Sequence, residues 1–246
     1  MRLAIDNGFR AIDTANQRKH YFEEGVGAAI RGVPRGELWL QTKFTYARGQ
    51  DARLPYDPTA SLTDQVKQSF ASSLEHLGTD YIDSYVLHGP ELNTGLTAGD
   101  LEVVRAMEAL HRSGQAKSLG LSNVGAAQLA KIVSAAKVPI AFVQNRCYAT
   151  RGWDADVRAI CRTHGIAYQG FSLLTANRQE LQRPLVDEIA LRIGAPREAV
   201  IFRFAMQVGM IPLTGTSSAE HMRDDLHAFE ITLTDADVHA IETIAR

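Results

Sequence analysis

Apolar residues fall into two kinds of run along this chain. Short runs, rich in β-branched and aromatic residues, are apolar at successive positions, and longer segments repeat apolar residues at three- and four-residue steps. The short runs predict strands over Phe9–Asp13, Glu37–Lys43, Ile82–Leu87, Lys117–Leu121, Ile140–Gln144, Ala167–Phe171 and Met210–Leu213. The longer ones predict helices over Thr59–Leu77, Asp100–Ser113, Val124–Ala136, Asp154–Thr163, Leu185–Ile193, Arg197–Val208 and Ala219–Phe229, with a further amphipathic helix in "FEEGVGAAI". Thr59–Leu77 is the clearest, its apolar Leu62, Val66, Phe70, Leu74 and Leu77 sharing one face. Strands without polar alternation fit a parallel sheet covered by helices. Strict β–α alternation over 246 residues predicts one domain, 1–246, with a TIM (β/α)8-type barrel; a doubly wound open sheet is the alternative. Punctuation agrees: Ser61 or Thr63 starts one helix and Gly78 ends it, Asn123 precedes another, and Gly165 follows a third.

Only seven strands are found, and the first follows a piece of helix, "RLAIDNG". A complete barrel has a strand before that helix, so the expectation is a sheet with two edges in a fold that normally has none.

Composition changes the picture mainly by exclusion. Net charge is −2, with 26 basic and 28 acidic residues and no charge block, which leaves no footprint for phosphate-led nucleic-acid binding. Cys147 and Cys161 lack the spacing of a zinc site or a disulfide framework. No apolar run is long enough to span a bilayer, and "MRLAIDNGFR" has no signal-peptide pattern. The expectation is a cytoplasmic protein with reduced thiols and no metal.

Barrel chemistry gathers where strands end in βα loops. Read in order, those ends carry Asp13, Lys43, His88, Ser122–Asn123, Gln144 and Phe171–Ser172. A Lys closing the apolar "LWLQTK" is costly to bury without a carboxylate, and Asp13 on the preceding strand is its natural partner. A structural Asp–Lys pair explains those two residues equally well. A Tyr beside a buried ammonium, however, makes a proton donor at neutral pH, and Tyr21 lies in the loop that Asp13 enters. A neutral His88 could then hold a carbonyl oxygen beside it.

These residues and their flanks resemble the aldo-keto reductase superfamily over almost the whole chain. "GFRAIDTA" looks like the family's G-x-R-x-I-D-T-A, and "LWLQTKF" like its lysine strand. "LGTDYIDSYVLHGP" resembles L-G-x-D-Y-I-D-L-x-x-x-H-x-P, "GQAKSLGLSN" is similar to G-K-x-R-x-I-G-V-S-N, and "FVQN" to V-N-Q. The resemblance implies a (β/α)8 barrel and reduction of a small aldehyde or ketone with NADPH, NADH being the alternative cofactor. By that likeness Tyr21 is the acid, Lys43 lowers its pKa, Asp13 pairs with Lys43, and His88 orients the carbonyl. Ser122, Asn123 and Gln144 would hold the nicotinamide carboxamide. Phe171 would stack on the ring where the family usually has Tyr, and Ser172 and Leu174 of "FSLL" would line the pyrophosphate. "IPLTGTSSAEHMRDDL" would bind the remaining phosphate through Gly215, Thr216 and Ser217, with His221, Arg223 and Asp225 beyond them.

Three departures from the family pattern bear on these expectations. The family's Tyr follows Asp by five residues, whereas Tyr21 is the eighth; aligning backwards from "EEGVG" puts His20 in that place. Tyr21 is the preferred acid, re-aimed by a longer loop, and His20 the alternative. Leu213 stands where NADPH binders commonly have Lys, which predicts weak discrimination between NADPH and NADH. The chain stops at Arg246, without the family's long C-terminal loop, so an open, permissive substrate pocket is expected. The competing functional reading is a weak or inactive member that binds the cofactor as a sensor or partner-binding module.

Overall fold

The computed structural model describes residues 1–246. Seven strands alternate with helices in the order of a TIM-type α/β fold. The elements are α1 (Arg2–Asp6), β1 (Ala11–Asp13), α2 (Glu23–Ile30), β2 (Trp39–Phe44), α3 (Leu62–Leu77), β3 (Ser84–Leu87), α4 (Ala98–Arg112), β4 (Leu119–Ser122), α5 (Ala126–Ala135) and β5 (Ile140–Arg146). After them come α6 (Ala155–His164), β6 (Ala167–Phe171), α7 (Arg178–Leu181), α8 (Pro184–Ile193), α9 (Arg197–Gln207), β7 (Met210–Pro212), α10 (Ala219–His227) and α11 (Asp235–Glu242). Met1–Val143 and Gln144–Arg246 form two compact units. No helix is long and apolar enough to cross a membrane.

In the first unit β1, β2, β3 and β4 pair in chain order, all parallel. The register sets Asp13 opposite Gln41, Phe44 opposite Leu87, and Leu87 opposite Leu121. Both faces of β2 and β3 are covered, so Leu40, Phe44, Tyr85, Val86 and Leu87 are fully buried. Each such apolar side chain contributes about 1.5–3 kcal/mol on leaving water. The apolar stripe foreseen on α3 is buried at Val66, Phe70 and Leu77, and the Phe70 ring meets Tyr85 edge-on at 4.8 Å. Helix α2 lies so close to the end of α3 that a Cβ at Gly27 would sit 2.1 Å from the His76 carbonyl oxygen. Glycine is required there by the approach of two backbones.

In the second unit β6 and β7 pair in parallel, with Tyr168 opposite Met210. Trp153 is completely buried, packs on Phe204 at 5.1 Å, and donates its indole N–H to the Ile241 carbonyl at 3.0 Å.

Element boundaries differ from the hydropathy reading where local hydrogen bonds take the chain elsewhere. Phe9 is outside β1 because its N–H turns back to the Ala4 carbonyl at the end of α1. Glu37 is outside β2 because Arg35–Glu37 makes a tight 3-10 turn. Ser61, not Thr63, caps α3, accepting from the Asp64 N–H at 3.1 Å. Asn123 does not cap α5. It sits at a left-handed φ of 51°, and Gly125 begins the helix.

Candidate functional site

Parallel pairing brings the predicted strand-end residues together in the first unit. Gln41 lies opposite Asp13, and Lys43 is two residues further along β2, on the same face of the pleat. Both reach the same carboxylate. Lys43 Nζ donates to Asp13 Oδ1 at 2.6 Å and Oδ2 at 2.7 Å, while Gln41 Nε2 donates to Oδ1 at 2.6 Å. The Thr14 carbonyl, just past β1, accepts from Nζ at 2.8 Å. Three acceptors therefore match the three ammonium protons. The Lys43 side chain has no exposed surface, whereas the Asp13 carboxylate is 23% exposed. Burial pulls the Lys43 pKa below the usual lysine value, and Asp13 opposes that shift.

The same register, carried one residue beyond the strands, places His88. Phe44 and Leu87 are opposite, so the next pair is Thr45 and His88, whose Oγ1 and Nδ1 are 2.7 Å apart. The His88 N–H continues the ladder to the Phe44 carbonyl at 2.9 Å. One strand further on, Asn123 Nδ2 donates to the His88 carbonyl at 2.7 Å and to Ser122 Oγ at 3.1 Å. Burial first, then the Lys43 charge, push the His88 pKa down to about 4, against the pull of Asp13. The imidazole is therefore neutral at physiological pH.

Tyr21 is supplied by the loop between β1 and α2. Its N–H and that of His20 both return to the Gln17 carbonyl, at 3.0 and 3.1 Å, which tightens the turn. The loop is tied down elsewhere by Asn16 Nδ2 to the Ser69 carbonyl, Gln17 Nε2 to the Gly49 carbonyl, and an Arg18–Glu24 ion pair. Just beyond, the buried Glu23 carboxylate accepts from Thr42 Oγ1 at 2.5 Å and Ser73 Oγ at 3.0 Å, and meets His76 Nδ1 at 3.0 Å, which anchors the first turn of α2. The Tyr21 ring, half-buried, has its centroid 5.3 Å from Lys43 Nζ and stands edge-on to His88 at 5.8 Å. His20 and Lys19 are exposed. The extra residues between Asp13 and Tyr21 thus bring Tyr21, and not His20, against the Lys43 ammonium and the His88 ring.

Beside His88 opens a cavity of about 300 Å³ lined by Gln17, Thr45, Arg48, Leu92, Asn93 and Asn123, among others. Thr45, Gln17, Gln41 and Arg48 were not singled out by the sequence reading. For Gln41 a signal existed, two residues before Lys43 and so on its face. Thr45 could be found only by extending the strand register past the strand ends.

The second unit holds the other predicted residues. Gln144 is buried on β5, its Nε2 donating to Gln169 Oε1 at 3.0 Å. Phe171 ends β6 half-buried, with the Arg146 guanidinium 5.5 Å from its ring. Ser172 follows at a left-handed φ of 57°, an uncommon conformation for a residue with a Cβ. Leu174 lines a cavity of about 340 Å³ together with Arg178, Arg197 and Glu198. Past β7, the loop carrying Gly215, Thr216 and Ser217 leads to α10, capped by Ser218 Oγ accepting from the His221 N–H at 3.3 Å. His221 Nδ1 lies 3.5 Å from Thr216 Oγ1, and Arg223 is exposed. Asp225 ties this loop to the helix by accepting from Thr214 Oγ1 at 2.6 Å, and burial raises its pKa.

The model of the aldo/keto reductase family matches residues 1–246. A glyoxal reductase of Bacillus subtilis is 27% identical over 247 residues, covering 99% of this chain and 82% of that protein. Among solved structures, an aldo/keto reductase from Brucella melitensis superposes with a TM-score of 0.84 at 27% identity, covering 99% of this chain and 86% of that one. The Bombyx mori aldo-keto reductase, crystallised in complex with NADP, gives a TM-score of 0.81 at 26% identity, covering 99% and 80%.

Proposed function

This chain belongs to the aldo/keto reductase family, and on that premise we propose that it reduces a small aldehyde or ketone to the alcohol, with Tyr21 as proton donor and NADPH as cofactor. The observation that carries the reading is the placement of one tyrosine ring against both a fully buried ammonium and a neutral imidazole.

The donor chemistry of the chain fits the cofactor. Ser122 and Asn123 in the first unit and Gln144 in the second offer hydroxyl and amide groups of the kind that hold a primary carboxamide. Phe171 offers a ring face. Arg178, sharing a cavity with Leu174, supplies a cationic partner for phosphate, and the N–H groups of Gly215–Ser217 precede a nine-residue helix. When bound, reduced nicotinamide supplies a hydride to the carbonyl carbon.

The remaining work falls to side chains of the first unit. Tyr21 gives its hydroxyl proton to the carbonyl oxygen as negative charge develops there. The Lys43 cation favours the tyrosinate left behind, and Asp13 keeps that cation charged in a buried position. His88, neutral, directs a ring N–H at the same oxygen. That role requires the proton on Nε2, which follows when the Thr45 hydroxyl donates to Nδ1. Leu213 at the usual Lys place leaves the 2′-phosphate with few cations, so NADPH preference over NADH should stay below about 100-fold in Kd, or about 2.7 kcal/mol. Titrating both cofactors by protein fluorescence measures it.

The decisive experiment follows NADPH absorbance with a nitrobenzaldehyde as substrate. Tyr21→Phe should lower kcat by about 100-fold or more while cofactor Kd stays near wild type, and His20→Ala should keep most of the turnover. Full turnover by Tyr21→Phe would sink the assignment.

A further inference from the structure

The cavity beside His88 carries one cation that the chain itself does not neutralise. Arg48 sits in the tight turn Ala47–Gly49, exposed at the rim, and its guanidinium donates to a neutral group, the Pro90 carbonyl at 2.5 Å. The other arginines of this region are committed elsewhere: Arg18 to Glu24, and Arg53 to Asp51 and the Arg18 carbonyl. One N–H of Arg48 on Pro90 holds the guanidinium in place and leaves further donors for a ligand.

The rest of the lining is polar as well. Gln17 is more than nine-tenths buried, donates to the Gly49 carbonyl at 2.7 Å, and has a side-chain oxygen with no partner. A buried acceptor left unpaired is costly, and a ligand hydroxyl or amide N–H would satisfy it. Asn93, Asn123 and Thr45 add further hydrogen-bonding side chains, against the apolar Leu92 and Pro90. At about 300 Å³ the space lies at the small end of ligand pockets.

Building on the carbonyl-reductase reading, we propose that the substrate is a short oxo acid, a carbonyl compound whose carboxylate is bound by the Arg48 guanidinium while its carbonyl oxygen faces Tyr21 and His88. A planar carboxylate accepts two parallel N–H bonds from a guanidinium, and an arginine already anchored by Pro90 loses little freedom in making them. The exposed rim position puts the substrate's charge at its solvent end and its carbonyl at the half-buried end by His88. The fully buried site of Lys43 is closed to it, since Asp13 and Thr14 occupy that ammonium.

The test compares kcat/KM for succinic semialdehyde with that for its methyl ester, in wild type and in Arg48→Met and Arg48→Lys. The expected wild-type preference for the free acid is about tenfold or more. Arg48→Met should abolish that preference, mainly through KM for the acid, and Arg48→Lys should restore part of it. Normalising to the ester removes any effect of the substitutions on folding. A preference for the acid that survives Arg48→Met, or no wild-type preference at all, overturns this inference and leaves the reductase reading standing. Reduction of glyceraldehyde phosphate over glyceraldehyde by a larger factor than acid over ester overturns the carboxylate assignment in favour of phosphate. Failure of the wild type to reduce either member of both pairs overturns the reductase reading, and this inference with it.

Discussion

Replacing Asp13 by Asn isolates the contribution of the carboxylate with little change of shape. In the native site Lys43 Nζ is completely buried, 2.6 and 2.7 Å from the two carboxylate oxygens. At that separation and an effective dielectric of about 20, the attraction lost is about 6 kcal/mol. The measurable cost is capped, because the uncompensated ammonium can shed its proton instead. Against an ordinary lysine value of about 10.4, deprotonation near pH 7 costs about 4.6 kcal/mol. Asp13→Asn should therefore lose about 3–4.5 kcal/mol of unfolding free energy near pH 7, consistent with breaking a buried pair from one side. The loss should shrink with rising pH. Asp13 opposes the lowering of the Lys43 pKa by burial, so its loss drops the folded pKa further. Over that added interval the folded variant lacks a proton that both the unfolded chain and the folded wild type keep, and the variant's stability gains on wild type as pH rises. Near pH 9.5 the deficit should be only about 1 kcal/mol. Urea unfolding of wild type, Asp13→Asn and the double variant Asp13→Asn/Lys43→Met at both pH values measures this, the double variant recovering most of the loss near neutrality. A deficit under about 1 kcal/mol near pH 7, or one that does not shrink with pH, would refute the reasoning.

Two further outcomes rest on other parts of the first unit. The His88 pKa, pushed down to about 4, means that the unfolded chain binds the additional proton between that value and the ordinary histidine value of about 6.5. Stability is therefore lost as pH falls through this window, by about 3 kcal/mol, and His88→Asn should remove that share of the acid sensitivity in urea melts across the same range. At Gly27 an added methyl would lie 2.1 Å from the His76 carbonyl oxygen, so Gly27→Ala should cost about 3 kcal/mol or more and lower Tm clearly. A Tm within about 2 °C of wild type would show that α2 can move away from α3 at little cost.

The alternation of strands and helices was legible because both faces of the strands are covered, which leaves unbroken apolar runs such as Tyr85–Leu87. Asp13, Lys43 and His88 were legible for a related reason. Each is a polar residue closing an apolar strand, a position that core packing alone does not explain. Tyr21 was harder, since its place depends on the fold of a loop; alignment backwards from "EEGVG" offered His20 instead, and it is the turn back to the Gln17 carbonyl that sets the Tyr21 ring near Lys43 and His88. Arg48 and Gln17 carry no periodic signal, and their relation to His88 exists only in three dimensions. Asn123 read as a helix cap because caps and strand-end ligands draw on the same small polar residues. Its left-handed backbone, which no local sequence rule dictated, puts its amide on the His88 carbonyl.

The stepwise pairing of the strands makes the first unit unequally tolerant of insertions. One residue added within Trp39–Phe44 would reverse the pleat beyond it, turning Lys43 from Asp13 and moving Thr45 off His88 in a single event. The loop from Thr14 to Phe22 obeys no such parity. Its first half is held by Asn16 and Gln17 and its far end by the buried Glu23, and between Gln17 and Glu23 the chain can lengthen without shifting any strand register. A family built on this frame can therefore vary the spacing between its loop aromatic and its strand while keeping the spacing within each strand. The eight-residue step from Asp13 to Tyr21 is variation of the permitted kind.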